Sequence, residues 1–195
     1  MAALVDFSSG TQPPSDVSTL SSERQLEGAV IAVRRDVVRL RGGQEQTYDV
    51  VEHAPSAAVV ALDDTQRVLL LHQWRHAVGR SFWEVPAGSS DPGEDIEEAA
   101  RRELAEETGY GGGRWRVVTR IHNSPGYTDE EVVVFLAEGV RREGEPDREP
   151  AEEEMQLRWV PLDEAVEAVL QGELTVAPTV AGLLAVAVLR ARGAL

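Results

Sequence analysis

Short apolar runs separated by turn residues dominate the first part of the chain. The runs AVIAV, DVVRL and TYDVV lie between Gly28 and His53, and Gly42 and Gly43 interrupt them. Apolar runs of this length around a glycine pair are typical of antiparallel strands joined by a tight hairpin. The pattern predicts two or three strands that form a small antiparallel sheet.

Further runs of the same kind predict the strands of a larger sheet. Ala57 to Leu62 and Val68 to Gln73 flank a polar turn at residues 63–66. Two apolar runs around such a turn indicate consecutive strands. The later candidate strands are Phe82–Ala87, which Pro86 ends, Trp115–Ile121, Val132–Leu136 and Gln156–Val160.

Three segments instead repeat apolar residues at helical spacing. Ile96, Ala100 and Leu104 recur every four residues, which places one buried stripe on a helix. Glu94 and Asp95 suit the start of this helix because acidic groups favour the positive end of the helix dipole, and Gly109 suits its end. Two further helices are predicted at Leu162–Leu170 and Thr179–Arg192.

These elements predict an α/β fold, in which an α/β/α sandwich with a mixed sheet is joined to a small N-terminal antiparallel β-sheet. Residues 1–22 are rich in Ser, Thr and Pro and are expected to form a mobile segment. Residues 23–54 would form the N-terminal sheet, and residues 55–195 the main domain. A length of 195 residues with 42% hydrophobic content suffices for one well-buried domain.

The composition removes several kinds of chemistry. All 19 basic residues are arginine, which excludes a lysine Schiff base, and the absence of cysteine excludes thiol nucleophiles, disulfides and zinc thiolate sites. The net charge of −15 argues against non-specific nucleic-acid binding, which depends on basic patches. We therefore expect no nucleic-acid partner.

The sequence also predicts a cytoplasmic protein without a membrane partner. Its start, MAALVD, lacks a basic segment and an adequate apolar run, so no signal peptide is expected. The longest apolar stretch, Val180–Leu189, is too short to span a bilayer.

Three carboxylates share one surface of the first predicted helix. Glu103, Glu106 and Glu107 lie at positions i, i+3 and i+4, and like charges at this spacing cost roughly 0.2–0.5 kcal/mol per pair. Hard divalent cations such as Mg²⁺ or Mn²⁺ prefer oxygen ligands and would offset that cost. For three glutamates considered alone, a solvated acidic face is the simpler interpretation.

A longer motif around these glutamates favours the metal site. The order G-x5-E-x7-R-E-U-x-E-E-x-G-U, where U is a large apolar residue, is the Nudix box, and the chain thus resembles the Nudix hydrolases. These enzymes cleave nucleoside diphosphates linked to another moiety. Tyr110 departs from the pattern because an aliphatic residue is usual at the last position. The other positions match, and they are Gly88, Glu94, Arg102, Glu103, Leu104, Glu106, Glu107 and Gly109.

The resemblance implies a divalent metal centre. The box carboxylates Glu103, Glu106 and Glu107 and the carbonyl of Ala87 would hold two or three Mg²⁺ ions, with Mn²⁺ as an alternative ion. Arg102 would pair with the box carboxylates and orient them for catalysis.

A second motif is similar to the ADP-ribose pyrophosphatase branch of the Nudix hydrolases. Pro125 lies 15 residues after Tyr110, within Ser124-Pro125-Gly126, and acidic residues follow. The resemblance implies that these three residues and Glu130 contact the substrate, and that Glu130 accepts hydrogen bonds from the terminal ribose. It also implies a homodimer formed through the N-terminal sheet. The alternative interpretation of Ser124-Pro125-Gly126 is an ordinary proline turn, and that of Glu130 is a surface carboxylate.

Two further candidates lie outside these motifs. Arg75 suits substrate phosphates because a guanidinium matches phosphate oxygens in a fork geometry, although an ion pair at the rim fits equally well.

The acidic segment between Val140 and Met155 corresponds to a loop from which related enzymes place a glutamate over the attacking water. We assign Glu152 as the base and Glu153 as a contributor to metal binding, within a run of glutamates that leaves the register open by one residue.

The resemblance predicts Mg²⁺-dependent hydrolysis of the pyrophosphate bond of ADP-ribose, or of a related ADP-sugar, to AMP and ribose 5-phosphate. Cations would neutralise the phosphate oxygens, and a glutamate base would add about 10²- to 10⁴-fold. The alternatives are hydrolysis of another nucleoside diphosphate derivative, such as another nucleotide sugar or NADH, and a non-catalytic ADP-ribose-sensing module. The complete set of box carboxylates favours catalysis.

Overall fold

A computed structural model describes residues 16–148 and 154–195 of the chain. Contacts divide the chain into two compact units. The first contains the chain up to His53 together with Gly126–Asp129, and the second contains Ala54–Pro125 and Glu130–Leu195. The division predicted between residues 54 and 55 lies next to this boundary, but the inclusion of Gly126–Asp129 in the first unit was not predicted.

The first unit contains an antiparallel sheet of three strands. These are β1 (Ser18–Glu27), β2 (Ile31–Arg39) and β3 (Glu45–His53), and they lie in that order across the sheet. Gly42 and Gly43 connect β2 to β3 with φ angles of 87° and 84°, a conformation that glycine adopts without steric cost. The predicted small sheet and its tight hairpin are confirmed, but the runs AVIAV and DVVRL form the single strand β2, and β1 lies before the predicted runs.

The start of β1 differs from the sequence prediction. Residues 18–22 pair with residues 36–39 of β2, so they are part of the sheet and not of a mobile lead-in. Every residue of β1 is exposed. No buried apolar stripe therefore marks this strand in the sequence, and its pairing depends on backbone hydrogen bonds.

The segment Gly126–Asp129 is bound to β3 through the main chain. The N–H of Val51 donates to the carbonyl of Tyr127 over 2.7 Å, and the N–H of Asp129 donates to the carbonyl of Val51 over 3.3 Å. The Asp129 carboxylate also accepts the N–H of His53 at 3.1 Å. These contacts explain why this distant segment belongs to the first unit.

The second unit is built around a seven-stranded mixed sheet. Its strands are β4 (Ser56–Leu62), β5 (Arg67–Arg75), β6 (Arg80–Glu84), β7 (Ala87–Ser89), β9 (Arg114–His122), β10 (Glu131–Glu138) and β12 (Gln156–Pro161), while β8 (Tyr110–Gly111) and β11 (Arg141–Arg142) form a separate pair. The main path runs β12-β5-β4-β10-β9, with β6 paired to β5 and β7 paired to β4. Only β4 and β10 pair in parallel within this sheet.

Helices cover both faces of this sheet, so β4 is buried along its whole length. The helices are α1 (Ile96–Thr108), α2 (Leu162–Leu170) and α3 (Ala177–Ala191). Alternate β4 residues join two separate cores, one with Leu104 of α1 and the other with Leu162 of α2 and Leu183 of α3. The predicted α/β/α sandwich with a mixed sheet is confirmed. None of the described helices is both long and apolar enough to cross a membrane.

The strand predicted at Phe82–Ala87 is divided in two. β6 ends at Glu84 and β7 begins at Ala87, and Val85 and Pro86 lie between the two ladders. Proline has no N–H to donate, which favours a break at this point. The break transfers the chain from β5 to β4 and so places Ala87 beside a buried strand.

Candidate active site

The helix α1 begins and ends at the residues that the sequence indicated. The side chain of Asp95 caps the first turn by accepting the N–H of Glu97 over 2.8 Å. Gly109 ends the helix in the left-handed conformation, with φ of 74°, and its N–H donates to the carbonyl of Ala105. Both ends of the element that carries the box carboxylates are therefore fixed.

The strand β7 lies directly against two of these carboxylates. Glu107 is only 1% exposed, and its Oε2 accepts the N–H of Ala87 over 3.1 Å. A Cβ atom placed on Gly88 would overlap the carboxylate of Glu103. A side chain at this position would therefore have to displace the Glu103 carboxylate.

Arg102 joins the remaining carboxylates of the box. Its Nη1 donates to Glu103 over 2.7 Å and to Glu106 over 3.1 Å. Its Nε and Nη2 donate to Glu94 over 3.0 and 2.9 Å, and Nη2 also reaches the carbonyl of Ser89. The guanidinium thus connects α1 to the loop before it and fixes three carboxylates at once.

These contacts change the protonation equilibria of the site. The hydrogen bond from Arg102, followed by the N–H of Asp91, lowers the pKa of Glu94 to about 2. The hydrogen bond with Glu94 is also the main cause that raises the pKa of Arg102, against the effect of desolvation. Both groups remain charged at neutral pH.

The residue types at this site suit a divalent cation. Carboxylate and carbonyl oxygens are the ligands that Mg²⁺ prefers, and the structure brings Ala87 and Glu107 together. Glu103 lies beside Gly88, and Glu103 and Glu106 both accept hydrogen bonds from the Arg102 guanidinium. Within residues 16–148 and 154–195, no three acidic or histidine side chains converge into a ready-made metal cluster.

The carboxylate of Glu130 is held by two side chains of its own unit. Its Oε1 accepts the hydroxyl of Ser56 over 3.1 Å, and its Oε2 accepts Nδ2 of Asn123 over 2.8 Å. Ser124 and Pro125 directly follow Asn123 in this unit, whereas Gly126 belongs to the first unit. Asn123 was not predicted, since an isolated Asn beside a turn gives no spacing signal.

Arg75 forms a bidentate ion pair with a buried carboxylate. Its Nε and Nη2 each donate to Glu84 over 2.8 Å, and Glu84 is 2% exposed. This geometry matches the ion-pair interpretation of Arg75. Contact between Arg75 and substrate phosphates stays a prediction.

Arg148 connects the end of α1 to Met155, the residue before β12. Its Nε donates to the carbonyl of Glu107 over 2.7 Å, and its Nη1 donates to the carbonyl of Met155 over 2.9 Å. Glu152 and Glu153, the predicted base and its neighbour, lie outside the described residues. Sequence reasoning missed Arg148, although its position within an acidic segment was an available signal.

Comparison with known proteins identifies the family. The sequence model of the NUDIX domain matches residues 52–181, which is more than half of the chain. The chain belongs to the Nudix family. Nudix hydrolases generally use divalent metal ions, in agreement with the oxygen-rich site on α1.

Alignments with similar proteins cover most of this Nudix chain. A Mycobacterium tuberculosis protein named ADP-ribose pyrophosphatase is 43% identical over 172 residues, which cover 88% of this chain and 83% of that protein. A Bacillus subtilis protein of the same name is 34% identical over 161 residues, covering 83% of this chain and 87% of that protein. A crystal structure of an ADP compounds hydrolase shares the fold with a TM-score of 0.80 and 20% identity, over 95% of this chain and 100% of that one.

Proposed function

We propose that this chain hydrolyses the pyrophosphate bond of ADP-ribose, or of a related ADP-sugar, to AMP and ribose 5-phosphate. The observation that carries the proposal is the carboxylate surface of α1, where Glu107 and Glu103 lie against β7 and Glu106 shares Arg102 with Glu103. The two relatives named ADP-ribose pyrophosphatase align with more than four fifths of the chain and support the same substrate class.

We assign the metal ligands to the Ala87 carbonyl and to Glu103, Glu106 and Glu107. Two or three Mg²⁺ ions bound there, or Mn²⁺ in their place, would neutralise phosphate oxygens and make the attacking water more acidic. The chain itself keeps the ligands in position. The Ala87 N–H holds Glu107, and Arg102 holds Glu103 and Glu106 without contacting substrate.

We assign proton transfer to the segment that follows Arg148. Glu152 would accept the proton of the attacking water, and Glu153 would contribute to metal binding. Arg148 binds the carbonyls of both Glu107 and Met155, so the two ends of this segment are tied to the helix that carries the metal ligands. This connection supports a base from residues 149–153.

Substrate contacts are assigned to Arg75, Ser124, Pro125, Gly126 and Glu130. Asn123 and Ser56 hold the Glu130 carboxylate. A carboxylate has about four lone-pair sites, so Glu130 can also accept the hydroxyls of a ribose. The contribution of Arg75 to phosphate binding would have to coexist with its ion pair to Glu84.

We further propose that the protein is a cytoplasmic homodimer that acts on a free nucleotide sugar, without a nucleic-acid or membrane partner. The net charge of −15 disfavours non-specific contact with phosphate backbones. The fully exposed strand β1 would supply the surface for dimerisation, since its Leu20 and Leu26 are 41% and 51% exposed.

The proposal is tested by chromatography of the products after the protein is incubated with ADP-ribose and Mg²⁺. We expect AMP and ribose 5-phosphate, with none formed in EDTA. Glu107→Gln should reduce kcat by about a hundredfold or more, because the substitution removes a metal ligand. Glu98→Gln changes an exposed glutamate of the same helix and should retain full activity. Intact ADP-ribose would contradict the substrate assignment, and an active Glu107→Gln variant would contradict the metal assignment.

A further inference from the structure

The turn between β6 and β7 is fixed by one hydrogen bond to helix α3 and one from strand β4 of its own sheet. The N–H of Val85 donates to Oγ1 of Thr179 on α3 over 3.0 Å. The carbonyl of Pro86 accepts the N–H of Val59 on β4 over 2.8 Å. The side chain of Thr179 thus replaces the ladder partner that Val85 loses where β6 ends.

This contact lies in the interior, away from water. Val85 is 1% exposed and Thr179 is completely buried. A buried N–H without a partner is strongly unfavourable, so the Thr179 hydroxyl is the group that stabilises this turn. Pro86 restricts its own φ and also the conformation of Val85, so the turn has little freedom to adopt another shape.

The next residue after this rigid turn is Ala87. Its N–H donates to Oε2 of the buried Glu107, and its carbonyl is the proposed backbone ligand of the metal. The direction of the Ala87 peptide groups therefore depends on how Val85 and Pro86 are held.

We infer that Thr179 is a positioning residue for the metal centre, through which α3 sets the orientation of Ala87 and of its partner Glu107. The inference rests on the proposed assignment of Ala87 and Glu107 as metal ligands. Thr179 is assigned no contact with substrate or metal, and it is completely buried. Its hydroxyl oxygen acts through the backbone of residues 85–87.

Three variants separate the hydroxyl from the rest of the side chain. Thr179→Val keeps the shape but removes the acceptor, and Thr179→Ser keeps the acceptor but removes the methyl group. Val186→Ala is the matched control, because Val186 is completely buried on the same helix and in the same core as Val85, and its truncation weakens packing but leaves the Thr179 hydroxyl in place.

The first measurement is Mn²⁺ binding without substrate, followed by electron paramagnetic resonance of the free ion. Changes to residues that orient metal ligands typically weaken metal binding by about tenfold or more, and we expect this for Thr179→Val. Thr179→Ser and Val186→Ala should bind Mn²⁺ like the wild type. Wild-type affinity in Thr179→Val, or an equal loss in Val186→Ala or Thr179→Ser, would overturn the inference.

The second measurement is amide hydrogen exchange at Val85, observed by NMR with EDTA present. The amide should be protected in the wild type and in Thr179→Ser, and should exchange faster in Thr179→Val. Rapid exchange at Val85 in the wild type would overturn the inference even if Thr179→Val fails to fold. A wild type that binds Mn²⁺ but leaves ADP-ribose intact would refute the proposed substrate while the role of Thr179 stands. A wild type that binds no Mn²⁺ would refute both.

Discussion

Gly88 leaves room for the carboxylate of another residue in the space that a side chain would take. A Cβ atom at this position would overlap Glu103. Alanine must therefore displace either β7 or a proposed metal ligand, and displacements of about 1 Å in an active site can cost about a hundredfold in rate.

We expect Gly88→Ala to lower kcat by about a hundredfold, because the Glu103 carboxylate must move away from the added methyl group. Gly144→Ala is the control, because a Cβ atom there meets nothing within 4 Å. Steady-state kinetics and urea unfolding of both variants check the prediction. An active Gly88→Ala enzyme would mean that Glu103 can move without loss of function.

Glu94 makes a second prediction at the residue scale, concerning acid stability. Its pKa is lowered from 4.5 to about 2 by Arg102 and the N–H of Asp91. A lowered carboxyl pKa stabilises the fold fully above the unfolded value of 4.5, and the stabilisation disappears as the pH falls towards 2. The free energy of unfolding should therefore differ most between wild type and Glu94→Gln at neutral pH.

This difference should shrink continuously below pH 4.5. Urea unfolding across this pH range, with EDTA present to remove any contribution from metal, measures it directly. A difference that does not vary with pH would show that Glu94 stabilises the fold through its shape and not through its charge.

At the scale of elements, the sequence predicted those parts that depend on local patterns. The apolar stripe of α1, its Asp95 cap and its Gly109 end all lie within one segment. The sequence also predicted the strands β4 and β10 from their continuous apolar runs. The fully exposed β1 was missed in part because its first residues carry no apolar period. The contacts of Thr179 with Val85 and of Arg148 with Glu107 join residues 94 and 41 positions apart, so no local pattern reports them.

In the candidate site, too, the sequence predicted what local spacing determines and missed contacts between distant residues. The carboxylates of α1 share one face because of helical spacing alone, which the sequence contains. Arg102, which binds Glu103 and Glu106, lies on the same helix and was predicted from the box, whereas other groups that support the site come from packing between elements. Asn123 and Arg148 act on Glu130 and Glu107 through contacts that only the folded chain creates.

Arg148 provides the prediction at the element scale. Its guanidinium bridges the last turn of α1 and the residue before β12 through two carbonyls. Arg148→Met loses both hydrogen bonds, and we expect it to lower the free energy of unfolding by about 2 kcal/mol. Lysine cannot reproduce the planar fork, so Arg148→Lys should restore only part of the loss.

Urea unfolding and kcat measure this effect, with Arg141→Met as the control, because the Arg141 side chain is 73% exposed. The kcat of Arg148→Met should fall together with its stability, since Glu107 lies at one end of the bridge. If Arg148→Met behaves like Arg141→Met, the bridge does not stabilise α1.

At the scale of the whole molecule, an acidic chain must bind an anionic substrate. The net charge is −15, and Arg102 and Arg75 near the proposed site already pair with carboxylates. Positive charge for a pyrophosphate must therefore come largely from bound cations. This requirement explains why the box concentrates carboxylates on one helix face and why the proposed reaction depends on a metal.

The exposed N-terminal sheet leads to the prediction about assembly. Leu20 and Leu26 of β1 and Ile31 of β2 are 41%, 51% and 38% exposed, and an exposed apolar patch on neighbouring strands is typical of an interaction surface. We expect sedimentation equilibrium to give the mass of two chains, and Leu26→Arg to shift the protein towards one chain because it places a charge in the interface.

Leu170→Arg alters a residue at the end of α2 that is 69% exposed and should leave the dimer intact. Because a C2 interface presents the same surface twice, each Leu26→Arg change acts twice per dimer. A wild-type protein with the mass of one chain would refute the dimer, and dissociation by Leu170→Arg but not by Leu26→Arg would place the interface on the second unit.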